Sequence, residues 1–95
     1  MQKWTQDQAI AYECARECIT DLRGILTGQI YEESAKPNPD SERLANLRAE
    51  RSRLFKERAA LRVNDDAAVA RVRAEYGARV RSLRAAEDAP QAAVA

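Results

Sequence analysis

Apolar residues recur at Ala11, Tyr12, Ala15, Cys18, Ile19, Leu22, Ile25, Leu26 and Ile30. They stand three or four positions apart over about six turns, a helical period with no strand-like alternation. The helix has a start signal. Thr5 can cap it with its hydroxyl, and Gln8, three residues on, can reach back to the Thr5 amide. Trp4, just before the cap, is placed to staple onto Ala9 or Ile10. The stop is Lys36-Pro37-Asn38-Pro39, because proline drives the residue before it out of the α region. The spacing predicts a first helix over 6–35.

Asn38 reads as the next N-cap and Pro39 as the first helical position, with Asp40 and Glu42 facing the positive end of the dipole. So short a connection predicts an antiparallel hairpin. The second helix, over 39–62, carries a narrower stripe of Leu44, Leu47, Leu54, Phe55 and Leu61. Arg51 and Arg58 interrupt it and are expected to lay their methylenes on the seam with their guanidinium groups in water. Val63-Asn64-Asp65-Asp66 forms the second break, with Asn64 as a cap followed by acidic residues. Val69, Val72, Tyr76, Val80 and Leu83 then mark a third helix over 65–86. Gly24 and Gly28 lie inside the first helix, where each costs about 1 kcal/mol relative to alanine. That cost implies either close approach of another helix, the favoured reading, or weak last turns of the first helix.

The expected fold is therefore all-α, a three-helix up-down-up bundle forming one domain over 1–86, with 87–95 as a disordered tail. The alternative is a long antiparallel helical hairpin whose kinked second arm completes its core by dimerising. At 1.5 Å per residue the first helix would extend about 44 Å, beyond either partner. The overhang would leave part of its stripe uncovered and available for dimerisation.

Composition narrows the chemistry. Of 95 residues, 45% are apolar, but much of that is alanine, which favours helix and buries little. There is no histidine, which removes the commonest general base and metal ligand. Cys14 and Cys18, one turn apart, read as core packing; a zinc site would need four ligands, and these are too few. Asp65-Asp66 and Glu32-Glu33 stand at helix ends, where dipole and solvation account for them. Neither a phosphate-binding glycine loop nor a sheltered pocket is indicated. No enzyme, cofactor or metal is expected. No stretch has the roughly 20 apolar residues of a membrane span, and the N-terminal run lacks a signal-peptide core, so the expected location is cytoplasmic.

Charge is uneven. Residues 1–40 carry four basic and seven acidic side chains, and residues 41–95 carry twelve and eight. Arg48, Arg53, Arg62, Arg73, Arg81 and Arg84 could form a phosphate-attracting face of the second and third helices. Against that stand the interspersed Glu50, Glu57 and Glu75, a pI of about 7.8 and the absence of a recognition motif. The acidic first helix could also neutralise the basic ones. Salt-sensitive nucleic-acid binding is thus the alternative function. The leading one is a protein-interaction module, with a protein partner or a second copy of the chain. Exposed aromatics dominate such contacts. Tyr31, off the main stripe, and Trp4 are the candidates.

The run Trp4-Thr5-Gln6-Asp7-Gln8-Ala9-Ile10-Ala11-Tyr12-Glu13-Cys14-Ala15-Arg16-Glu17-Cys18-Ile19-Thr20-Asp21 and the later run Ala70-Arg71-Val72-Arg73-Ala74-Glu75-Tyr76-Gly77-Ala78-Arg79-Val80 resemble a family of short helical proteins. That family is carried on integrative and conjugative elements of proteobacteria. The resemblance covers about nine-tenths of the chain and implies a bacterial cytosolic accessory protein of a mobile element. It brings no assigned activity and no functional residues.

Overall fold

The computed structural model describes residues 4–88, and the tail expected beyond 88 lies outside them. Three helices follow in order: α1 over Gln6–Ser34, α2 over Ser41–Ala60 and α3 over Asp66–Asp88. The chain is an all-α three-helix bundle. Glu87 and Asp88 belong to α3, because nothing before them breaks the helix.

Local signals set the ends. At α1 the capping box forms as the sequence dictates. Gln8 N–H donates to Thr5 Oγ1 at 3.1 Å, and the Thr5 amide donates to Gln8 Oε1 at 2.8 Å. The other two starts fall later than expected. Asp40, not Asn38, caps α2 by accepting from Arg43 N at 3.0 Å. Asp65, not Asn64, accepts from Ala68 N at 3.0 Å at the head of α3. In both cases an aspartate directly before the helical run displaces the asparagine as cap, and Pro39 stays in the connection.

The core is one cluster of Ala15, Ile19, Leu22 and Leu26 from α1, Leu54 from α2, and Val69, Val72, Tyr76 and Val80 from α3. Contacts along its length fix the directions. Arg51 and Arg58 reach Thr27 and Thr20, so α2 descends along α1. Gln8 reaches Asp66 and Arg84 reaches Asp21, so α3 ascends. The break at 61–65 is thus a true reversal.

α1 is the spine of the molecule. It packs against both other helices, while among the described residues no Cα of α2 comes within 8 Å of one in α3. The Cα envelope is correspondingly thin, 58 × 32 × 16 Å. Between α2 and α3 the gap is filled by long side chains. Tyr76 donates its hydroxyl to Glu57 at 2.7 Å, Arg53 and Arg71 pair with Glu57 at 3.1 and 3.3 Å, and Arg79 pairs with Glu50.

The inward stripe of α1 is buried at Ala15, Ile19, Leu22, Leu26 and Ile30 and half-buried at Ala11, Tyr12, Cys18 and Ile25, with Leu44 buried beside Ile30 at the α2 end. Phe55 is half exposed rather than core. At the α1–α3 crossing the close-packed glycine is Gly77: a Cβ there would stand 3.6 Å from Cys18 Sγ. Gly24 and Gly28 have open space where a Cβ would point, so the close approach expected of them does not occur within the chain.

Candidate interaction face

The side of α1 turned away from the core carries Ile10, Glu13, Glu17, Thr20, Gly24, Gly28 and Tyr31 at helical spacing, all exposed. Tyr31 is 77% exposed and Ile10 55%. Tyr31 is thus the freely displayed aromatic that its position off the stripe indicated. Trp4 is less open and borders a shallow apolar groove with Ala9, Tyr12 and Val63, at the end of the molecule where the staple was expected.

Thr20 and Gly24 form a ridge between two grooves. On the α2 side the groove is lined by Arg23, Thr27, Arg51, Ser52, Phe55 and Lys56, with no carboxylate. Arg23 and Arg58 both lie over the Phe55 ring, 5.1 and 5.7 Å from its centroid. This cation–π sandwich is why a phenylalanine tolerates half exposure. Arg23 Nε also donates to the Arg51 carbonyl at 3.2 Å. Arg51 and Arg58 are half-buried along the seam, and at the exposed surface they donate to Thr27 Oγ1 at 3.1 Å and Thr20 Oγ1 at 2.8 Å. Among the described residues Arg23, Arg51, Lys56 and Arg58 form no ion pair.

The groove on the α3 side has the opposite sign. It is lined by Asp21, Gly28, Glu32 and Glu87, with Arg84 as its one cation. Arg84 pairs with Asp21 at 3.7 Å. The two grooves run side by side along α1, one lined by three cations and the other by three carboxylates and one guanidinium.

The arginines singled out from the sequence do not share a face. Arg53 is tied into the α2–α3 seam by Glu50, Glu57 and Tyr76, and hydrogen bonding to Tyr76 together with the nearby carboxylates raises its pKa. Arg84 is paired across to α1. Arg73 and Arg81 lie near Cys18, on the α3 flank, where their charges act on that thiol. Arg62 lines the Trp4 end, and Arg48 is exposed on α2. The seam is neutralised by Glu50, Glu57 and Glu75 rather than by the acidic first helix, of which, among the described residues, only Glu33 and Asp21 pair with basic residues of α2 and α3.

Cys18 packs against the core, and burial, followed by the charge of Asp21, pushes its thiol pKa up. A raised pKa means less thiolate and a less reactive sulfur. Both cysteines are free, and among the described residues no three metal-ligating side chains converge. No helix among those residues is long and apolar enough to cross a membrane.

Glu33 was read as a solvated helix-end carboxylate, yet it is only 3% exposed. Its Oε2 accepts from the Asp40 amide at 3.0 Å, and its Oε1 accepts from Lys36 at 2.9 Å and Arg43 at 3.1 Å. The amide bond first, and then Lys36, hold its pKa below the ordinary carboxylate value. It buckles the α1–α2 connection and is not a site for a ligand. Lys36 at i+3 was the only sequence signal of this role.

No known family, curated protein or solved structure matches the chain.

Proposed function

We propose that the chain is a non-enzymatic helical interaction module that presents the outer face of α1 to a protein. The observation that carries this reading is the exposed row from Ile10 to Tyr31, with two glycines that leave the backbone open to contact. An exposed row that runs from an isoleucine to a tyrosine, with two glycines between them and charged grooves on either side, offers both apolar anchors and polar flanks to a protein partner. The resemblance noted in the sequence adds the setting, an accessory or regulatory factor of a bacterial mobile element acting in the cytoplasm.

The test compares purified wild-type chain with Gly24→Leu and Tyr31→Ala as baits for cross-linked capture from a host extract. Proteins held by the wild type and lost from both variants support the reading. Capture that is indifferent to both substitutions would place the working surface elsewhere.

A second reading has its own observation, the carboxylate-free groove around Phe55. Arginines beside an exposed ring are suited to the phosphates and bases of a single strand. It uses Arg23, Arg51, Lys56 and Arg58, a different set from the one the sequence suggested. Fluorescence anisotropy with a labelled oligonucleotide at low salt tests it, and a flat titration would dispose of it.

A further inference from the structure

We propose that the occupant of the α1 outer face is a second copy of the same chain, docked with the two α1 helices parallel about a two-fold axis. This rests on the reading of that face as a protein interface and names its partner.

Seen from outside, α1 has a basic groove on its α2 flank from Thr20 to Thr27 and an acidic groove on its α3 flank from Thr20 to Glu32, overlapping along the helix. A two-fold parallel to α1 brings the α2 flank of one copy onto the α3 flank of the other. Arg23, Arg51 and Lys56 then meet Asp21, Glu32 and Glu87 twice over, in the self-complementary manner of an isologous contact. A two-fold perpendicular to α1, giving antiparallel helices, would set basic on basic and acidic on acidic. Only the parallel arrangement satisfies both grooves. Gly24 and Gly28 lie on or beside the axis of this contact and have no atom within 4 Å of where a Cβ would be, so the two backbones can approach closely. Tyr31 stands on the same row and would be covered with them.

Lys56 and Glu87 are exposed and form no ion pair among the described residues, so reversing either leaves the fold intact. Sedimentation velocity across a concentration series should show wild-type dimers that weaken with salt. Lys56→Glu and Glu87→Lys should each raise the dimer dissociation constant by about tenfold or more. An equimolar mixture of the two variants should associate again, because one of its two groove pairs is then wild type and the other is exchanged in sign. Gly24→Leu should abolish the dimer with its circular dichroism unchanged.

A wild-type chain that is monomeric at every concentration overturns the proposal. So does a dimer that either reversal strengthens, which would mean like grooves meeting, and so does a mixture that fails to restore association. Oligonucleotide binding by a chain that stays monomeric overturns it in favour of nucleic acid at the basic groove. If the chain proves monomeric while capture from extract still depends on Gly24 and Tyr31, the homodimer is wrong and the interaction module stands. If neither association nor face-dependent capture is seen, both readings fail.

Discussion

Glu33 shows how far a single side chain can depart from its expected role. A carboxylate in the last turn of a helix opposes the negative end of the dipole and on that ground alone belongs in water. Here two cations and the Asp40 amide surround it, at the point where the chain turns from α1 into α2. Its folded pKa is lowered, so the ionised form is the one the fold stabilises. The contribution is complete above the unfolded carboxylate value of about 4.3 and is lost as pH falls through the lower folded value. Glu33→Gln should therefore lower the Tm at pH 7, and the gap to wild type should narrow steadily as the pH is taken below 4. A constant gap across that range in a Tm titration would contradict this account. The sequence offered Glu33 only as an acidic residue near a helix end. Its three partners converge through the path of the connection, which residue types at given spacings do not reveal. The same limitation moved both later caps. Asn38 and Asn64 are good caps in isolation, but an aspartate standing immediately before the helical run takes the role in each case.

Among the elements, α1 was the most legible, because its capping box, long stripe and proline stop all agree. Besides Glu33, Gly24 and Gly28 depart from expectation. A helix interior normally excludes glycine for entropic reasons, so packing was the natural inference, yet the glycine that does pack is Gly77 of α3. Neither Gly24 nor Gly28 has a positive φ, and each has room for a methyl group. Gly24→Ala and Gly28→Ala should each stabilise the monomer by about 1 kcal/mol, the difference in helix propensity. For a domain of this size that is a Tm gain of about 4–8 °C, readable by circular dichroism. A loss of stability would show that these positions are covered even in the monomer. In α2 the stripe was read one residue too wide. Phe55 belongs beside the seam, and what made it look like core, its apolar bulk, is accommodated by two guanidinium groups rather than by other apolar side chains.

For the molecule as a whole, helix count and order were readable from three periodic stripes and two breaks, whereas the direction of the third helix was left open by a second break without glycine or proline. The placement of the arginines was not. Which flank a charged residue occupies depends on how the helices are rotated and splayed, and splay is the distinctive property of this bundle. α1 is flanked on two sides, whereas α2 and α3 each have one neighbour at backbone distance. Hydrogen exchange should reflect that hierarchy, since protection follows the burial and contact density of each segment. The slowest amides should fall in α1 around Ile19–Leu26, with α2 and α3 opening at lower cost. Greatest protection in either flanking helix would contradict it.

The seam between α2 and α3 has one more consequence. Where helices pack directly, their separation is dictated by how ridges fit grooves. Here it is dictated by reach: Arg71 and Tyr76 meet Glu57, and Arg79 meets Glu50, like the rungs of a ladder, and the width of the ladder is the length of a rung. Shortening the rungs, arginine to lysine or glutamate to aspartate, would draw the rails together or leave the rungs hanging. The angle at which α1 is cradled, and with it the spread of the two grooves it displays, is thus written in side-chain length.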